Sequence, residues 1–287
     1  MSSHSISAQG YGDMRCDKAL AERGLCRSRT RAQALIEEGR VRVNSELCMK
    51  PSFIVSSTDT IEISPLPSVR HHPAFMDGFD YSHYVSRGAA KLLSAYNAFG
   101  PEGLERPAGR KCLDIGASTG GFTQVLLDKG AQRVIALDVG HGQLDRRIAE
   151  DPRVFEMSGV NFRDTVPQDL PYLPDYAVSD VSFISLAFII PPLQRIALAA
   201  LKEGAPAFTA ILLIKPQFEV GRGNLGKGGI VTGSSLSRSA GDKVLGYARR
   251  SGFTVRGCVP SDITGLHGNR EYLLWITVDN MRDITES

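Results

Sequence analysis

Cysteine is scarce in this chain: five residues in 287, at Cys16, Cys26, Cys48, Cys112 and Cys258, odd in number and never spaced C-x-x-C. That pattern supplies neither a disulfide framework nor a zinc site, and it points to a reducing compartment. Neither sign of charge dominates. Lys+Arg 33 stand against Asp+Glu 31, so any affinity for nucleic acid has to come from local clustering. Uninterrupted apolar runs are short as well. The stretch from Phe208 to Ile214 has the length of a strand, well below the roughly 20 residues that a bilayer-spanning helix requires. The opening Met1-Ser2-Ser3-His4-Ser5-Ile6 lacks the apolar segment of a signal peptide. Internal repeats and low-complexity tracts are missing too. These deficits argue against a secreted or membrane-integral protein and for a cytoplasmic one.

What is present divides into four stretches. Residues 1–12 are polar and read as a disordered N-terminus. Residues 13–64 read as a small α+β domain, with helices at 15–23 and 29–38 and strands at 41–43 and 60–63. Gly24 suits the position just past the first helix, Ser28 is a good N-cap for the second, and Gly39 ends it. Residues 65–83 carry prolines and histidines without a period and read as a linker, in which His71, His72 and His83 are solvated by default. Residues 84–287 alternate strands (111–114, 133–138, 154–157, 176–180, 208–215, 254–259, 272–278) with helices (87–99, 119–129, 143–150, 186–201, 236–251). Such alternation specifies an α/β fold with a doubly wound, mostly parallel sheet, here of seven strands.

Charge appears where the apolar runs stop. Asp114, Asp180 and Lys215 each end one, and neighbouring parallel strands would bring all three to the carboxyl edge, where open α/β sheets bind ligands. If the last strand is antiparallel, Glu271 at its start reaches the same edge. Lys91, one turn after Arg87 on the helix 87–99, flanks an apolar stripe of Leu92, Leu93, Tyr96 and Phe99. Glycines follow Asp114 in Asp114-Ile115-Gly116-Ala117-Ser118-Thr119-Gly120-Gly121, and Asp138 ends the next strand, where an acid meets ribose hydroxyls. The loop is not G-x-G-x-x-G, which disfavours a nicotinamide cofactor. A later stretch, Gly221 to Gly228, nearly spells G-x-x-x-x-G-K-[ST], but Gly228 replaces the hydroxyl that would hold magnesium. It reads as a mobile loop over the substrate site, and no metal is expected.

Between Asp13 and Lys50 the residues Arg15, Lys18, Arg23, Arg27, Arg29, Arg31, Arg40, Arg42 and Lys50 outnumber the acids. Guanidinium groups beside a helix N-terminus make a phosphate clamp, although a solvated helix face is the commoner meaning of such a run. The motif decides between them. Arg15-Cys16-Asp17-Lys18-Ala19-Leu20, Ser28-Arg29-Thr30-Arg31-Ala32 and Ile36-Glu37-Glu38-Gly39-Arg40-Val41-Arg42-Val43-Asn44 resemble the small RNA-binding domain first seen in ribosomal protein S-four.

The larger part resembles the TlyA family in Tyr84-Val85-Ser86-Arg87-Gly88-Ala89-Ala90-Lys91-Leu92, Leu113-Asp114-Ile115-Gly116-Ala117-Ser118-Thr119-Gly120-Gly121-Phe122-Thr123, Ser179-Asp180-Val181-Ser182-Phe183-Ile184-Ser185-Leu186 and Leu213-Ile214-Lys215-Pro216-Gln217-Phe218-Glu219. That family comprises ribosomal RNA 2′-O-methyltransferases with an S-four-like domain and an FtsJ-type catalytic domain. The resemblance implies a Rossmann-like class I methyltransferase fold and S-adenosyl-L-methionine as cofactor. It implies a catalytic tetrad on Lys91, Asp180, Lys215 and Glu271. It places the cofactor on Asp114, Gly116, Ala117, Ser118, Gly120, Gly121, Phe122, Asp138, Val139, Asn161 and Asp180. RNA contact falls to Arg15, Lys18, Arg27, Arg29, Arg31, Arg40, Arg42 and Arg87. The implied target is cytidine in ribosomal RNA of the large subunit, with the small subunit as a second candidate. Ribosomal subunits are then the partners, without a membrane or an obligate protein partner.

The chemistry is consistent with this. A lysine near a second ammonium has its pKa lowered, so Lys215 beside Lys91 would deprotonate or orient a ribose hydroxyl, with Asp180 and Glu271 fixing both lysines. Two structural salt bridges are the bland alternative. The competing functions are a non-catalytic RNA-binding assembly factor, a cytolysin, as the family's older haemolysin label suggests, and a dehydrogenase on the same fold.

Overall fold

The computed structural model describes residues 13–26, 28–37, 40–63, 83–226, 229–231, 233–265 and 268–279. The expected disordered N-terminus, most of the linker with His71 and His72, and Arg27, Gly39 and Gly228 lie outside the described residues. The chain forms two compact units, one containing residues 13–63 and the other residues 84–139 and 144–279.

In the small unit, helix α1 (Cys16–Glu22) and helix α2 (Arg29–Glu37) follow the first strand, β1 (Met14–Arg15). Gly24 at φ 69° lies just past α1. The Ser28 hydroxyl caps α2 by accepting from the backbone N–H of Arg31 at 3.1 Å. Strand β2 (Val41–Val43) is central in a three-stranded antiparallel sheet, between β3 (Glu46–Leu47) and β5 (Ile61–Ile63). Strand β4 (Ile54–Val55) pairs with β1. Leu20, Ala32, Leu35, Ile36, Val41 and Val55 close a core of their own. The two-residue strands β1, β3 and β4 are too short to show alternation, which is why sequence periodicity misses them.

The large unit runs α3 (Gly88–Phe99), β6 (Lys111–Ile115), α4 (Gly121–Asp128), β7 (Arg133–Asp138), α5 (Arg146–Ala149), β8 (Val154–Ser158), β9 (Tyr176–Ser179), α6 (Ile190–Lys202), β10 (Phe208–Ile214), α7 (Pro216–Glu219), α8 (Ser234–Arg250), β11 (Thr254–Pro260) and β12 (Tyr272–Val278). Its seven strands lie in the order β11-β12-β10-β9-β6-β7-β8. Strand β12 is antiparallel to both neighbours, and the sheet from β10 through β8 is parallel. The chain winds outward from β6 through β7 and β8 on one side and through β9 and β10 on the other. That makes the β6/β9 boundary the topological switch point, where a crevice opens at the carboxyl ends. Both faces are covered. Leu193, Ile196, Val244 and Ala248 of α6 and α8 pack on one side, and Leu92, Phe99, Val125 and Leu126 of α3 and α4 on the other. Burial on both faces explains why β10 reads as a continuous apolar run.

Three helices depart from expectation, each for a local reason. Helix α4 starts at Gly121 instead of residue 119 because Gly120 has φ 94°, outside the right-handed helical region. The expected helix at 143–150 shrinks to one turn, since the Asp145 side chain accepts from the Arg147 N–H and caps it there. The expected helix at 186–201 divides into a 3-10 turn (Leu186–Phe188) and α6. Pro191 and Pro192 have no N–H to donate and are tolerated only in a first turn.

Candidate active site

The sheet register assembles the site. Strands β6 and β9 end level, with Ile115 opposite Ser179, and the Asp180 N–H continues the ladder to the Ile115 carbonyl at 3.1 Å. Strand β10 stops at Ile214, opposite Tyr272 of the antiparallel β12, so Lys215 and Glu271 leave the sheet side by side. Helix α3 supplies Lys91, only 5% exposed, from its first turn. The Lys91 Nζ lies 2.8 Å from Glu271 Oε2 and 3.6 Å from Asp180 Oδ2. The Lys215 Nζ lies 2.6 Å from Asp180 Oδ1 and donates to Ser182 Oγ at 2.8 Å. Charges alternate along Glu271, Lys91, Asp180 and Lys215, so the four expected residues form one connected cluster.

Electrostatics favours the charged forms of Lys91 and Asp180. Burial alone would depress the Lys91 pKa, but Asp180 and Glu271 outweigh it and hold the ammonium above the ordinary lysine value. Burial would likewise raise Asp180, and Lys215 and Lys91 reverse this, keeping the carboxyl below its ordinary range. Arg87, at the N-cap of α3, contributes positive charge at both groups. Arg87 therefore lies in the large unit, within electrostatic reach of this cluster.

The glycine turn lies alongside. Gly116 has φ 83°, and a Cβ there would come 3.2 Å from the Asp180 carbonyl oxygen, so only glycine lets the turn pass the Asp180 backbone this closely. The Gly116 and Ala117 N–H groups both donate to the Leu137 carbonyl, at 2.8 and 3.0 Å. Asp138 ends β7, where its Oδ2 accepts from the Ser118 N–H at 2.8 Å. Val139, next in sequence, is 61% exposed. Asn161 is exposed, and its Oδ1 accepts from the Arg163 N–H at 3.2 Å. A carboxylate for ribose hydroxyls, an apolar face for adenine and a Cβ-free turn for the chain between them suit S-adenosyl-L-methionine.

One expectation at this edge needs correction. Asp114 does not end its strand, because β6 continues through Ile115, and the Asp114 side chain is fully buried. Its Oδ2 accepts from the Thr123 hydroxyl at 2.6 Å, while Oδ1 has no hydrogen-bond partner among the described residues. Burial pushes its pKa up to about 7, with repulsion from Asp180 and Asp138 acting in the same direction against the Thr123 hydrogen bond. Phe122 is likewise buried, within the α3–α4 packing, and Gly121 lies against Ser86. Helix packing surrounds both residues.

Other residues of the site escaped sequence reasoning. Ser182 receives the second Lys215 hydrogen bond. Phe183 is 74% exposed and holds φ 65°, an uncommon conformation for a non-glycine residue, with its ring 5.3 Å from that of Phe218. Glu219, buried, accepts from Ser185 and Leu186. An exposed aromatic beside a charged strand end is a signal that could have found Phe183. The others depend on loop conformations that leave no period in the sequence.

In the small unit, Asp17 is fully buried and organises the basic residues. It accepts two hydrogen bonds from Arg15, both at 3.0 Å, one from Arg29 at 3.0 Å and one from Gln33 at 2.8 Å. Arg15 and Arg29 nevertheless remain exposed. Lys18 pairs with Glu22 at 3.4 Å, and Arg42 donates to the Ser45 carbonyl at 2.7 Å. Arg31 and Arg40 are half-buried.

Comparison with known proteins agrees with this geometry. Residues 84–277 match the FtsJ-like methyltransferase model, and residues 14–61 match the S4 domain. A Mycobacterium tuberculosis protein named 16S/23S rRNA (cytidine-2′-O)-methyltransferase TlyA is 40% identical over 94% of this chain and 92% of its own length. A Campylobacter jejuni protein named 23S rRNA (cytidine-2′-O)-methyltransferase TlyA is 32% identical over 91% of this chain and 98% of its own. A solved structure from Streptococcus thermophilus, carrying a hemolysin label, superposes with TM-score 0.64 at 35% identity, over 94% of this chain and 90% of its own. The chain belongs to the FtsJ-like methyltransferase family, within its S4-bearing TlyA group.

Proposed function

We propose that this protein transfers a methyl group from S-adenosyl-L-methionine to the 2′-hydroxyl of cytidine in ribosomal RNA, with the large subunit as first target. The observation that carries the reading is the connected cluster of Lys91, Asp180, Lys215 and Glu271, at 2.6 to 3.6 Å, beside the glycine turn. When bound, the cofactor supplies an electrophilic methyl on a sulfonium, held by the turn from Gly116 to Gly120 with Asp138 and Val139. Asp180 stands between two ammonium groups and fixes both. Lys215 commits two nitrogen positions to Asp180 and Ser182, which leaves the third for the ribose oxygen. In the amine form that position is a lone pair able to take the hydroxyl proton; in the ammonium form it orients the oxygen. Phe183 exposes an aromatic face beside Lys215 on which a nucleobase can stack. The basic residues of the small unit grip the RNA backbone and carry no sequence information of their own. Such a substrate places the work in the cytoplasm, on rRNA or on ribosomal subunits.

Replacing Lys215 by alanine should lower methyl transfer by about 10²–10⁴-fold, the typical worth of a positioned proton acceptor. Cofactor affinity, measured by calorimetry, should stay near wild type. Mapping ribose methylation in ribosomes from cells with and without the gene identifies the nucleotide. Transfer at normal speed by Lys215→Ala removes the lysine from the chemistry. Identical methylation maps remove rRNA as the substrate.

A further inference from the structure

Asp180 and Lys215 stand on different loops, and their 2.6 Å contact requires the two loops to hold register. The loop after β9 is under strain, because Phe183 sits at φ 65°. Strain of that kind persists only where surrounding contacts impose it. Three contacts from the segment after β10 do so. Lys215 donates to Ser182, the Phe218 ring meets Phe183, and the Glu219 carboxylate takes the far end of the loop. The last is the most constrained. Glu219 is 5% exposed; its Oε2 accepts from the Ser185 hydroxyl at 2.6 Å and its Oε1 from the Leu186 N–H at 2.8 Å. Ser185 Oγ in turn accepts from the Ala187 N–H at 3.1 Å, which caps the turn leading into the buried Leu186.

We propose that Glu219 is a positioning residue for methyl transfer, clamping the loop 180–186 to the single helical turn that begins at Lys215 and so setting where Lys215 and Phe183 meet the substrate. The proposal rests on the methyltransferase reading of the site. Helix α7 is one turn long, with Lys215 as its N-cap and Glu219 as its last residue, so a shift at one end moves the other. The Lys243 Nζ on α8 donates to the Glu219 carbonyl at 3.3 Å and anchors that end. Among the described residues no cation pairs with the Glu219 carboxylate. Its two buried oxygens are held by two donors of one loop, so releasing the loop would leave both acceptors unsatisfied. The clamp and the loop therefore stabilise each other. The cofactor turn belongs to β6 and β7, and it meets the clamped loop at Asp180 and Val181, at the other end from Ser185 and Leu186.

The test compares wild type, Glu219→Ala and Glu219→Gln in the full chain by three readouts: amide exchange of 182–187, cofactor affinity, and kcat against KM for rRNA. In Glu219→Ala the loop should exchange faster and kcat should fall by about tenfold or more, since small misplacements of reacting groups are costly. Cofactor affinity should stay within about twofold, because Glu219 holds the loop at the end away from Gly116. Glu219→Gln keeps one acceptor and should recover part of both losses. Should Glu219→Ala not fold, Ser185→Ala removes one donor and should show the same pattern in weaker form. Unchanged exchange, or faster exchange with unchanged kcat, overturns the proposal. So does a loss of cofactor affinity in step with kcat, which would mark general damage. If wild type binds cofactor yet methylates no rRNA, the methyltransferase reading fails, and the exchange readout still decides whether the clamp exists.

Discussion

Asp114 has a fully buried carboxyl with one oxygen that takes no hydrogen bond among the described residues, and burial raises its pKa from 3.8 to about 7. The native state therefore holds a proton there over a pH range in which the unfolded chain has lost it. Stability rises with pH only where the unfolded state binds more protons, and here the folded state does. The contribution of Asp114 is fully present below about pH 4 and declines as pH rises towards about 7. Asparagine is nearly isosteric, never ionises, and retains an acceptor for the Thr123 hydroxyl. Asp114→Asn should therefore flatten the fall in melting temperature between those pH values and leave the variant more stable than wild type at neutral pH. Parallel curves for the two proteins would mean that Asp114 does not titrate in this range.

At the scale of elements, Asp17 joins two helices. It lies in the first turn of α1 and accepts from Arg29 and Gln33 of α2 as well as from Arg15. Burial works against its ionisation, yet those donors prevail and hold its pKa at about 2, against 3.8 in the unfolded chain. The sign is opposite to that of Asp114: this stabilisation is present above about pH 4 and is lost as pH falls towards about 2. Hydrogen bonds to a charged group are worth about 1.5–3 kcal/mol, so Asp17→Ala should destabilise the small unit by an amount of that order. Denaturant unfolding at neutral pH checks the magnitude. A change below about 0.5 kcal/mol, the usual effect of a surface substitution, would mean that the tether contributes little.

The helices that Asp17 joins were legible in the sequence, because Ser28 caps one and Gly24 follows the other. The tether was not, since nothing in the spacing of Asp17 and Arg29 marks them as partners. The same division holds in the large unit. Strands β7 and β12 fall where their apolar runs and flanking charges place them, and antiparallel pairing of β12 then puts Glu271 beside Lys215. Asp114 looked like a strand end because a charge interrupts the run, whereas the ladder continues through Ile115. Ser182, Phe183 and Glu219 remained hidden for a further reason. Their roles depend on one residue at positive φ and on contacts between separate loops, and hydrophobic periodicity carries neither.

At the scale of the whole molecule, charge is nearly balanced while its basic residues concentrate in the stretch from Arg15 to Lys50. Not all of these are equally available to a phosphate. Arg23 is buried and spends its guanidinium on the Asp59 and Ser56 carbonyls, both at 2.7 Å. Arg15 gives two donors to Asp17, whereas Arg29 gives its Nε and has a side chain that is 53% exposed. On the proposed function the roles divide accordingly: the small unit supplies RNA affinity and the large unit supplies turnover. Each phosphate contact contributes about 0.7 to 0.9 to the slope of log affinity against log salt. Arg29→Gln should therefore lower that slope by about one unit and weaken RNA binding at low salt. Cofactor affinity and kcat at saturating RNA should be unchanged. Asp180→Asn should do the reverse, because it breaks the pairing of both lysines without touching the basic stretch: kcat falls and the salt slope stays. A single variant that moved both quantities in proportion would show that RNA grip and chemistry are not separable between the two units.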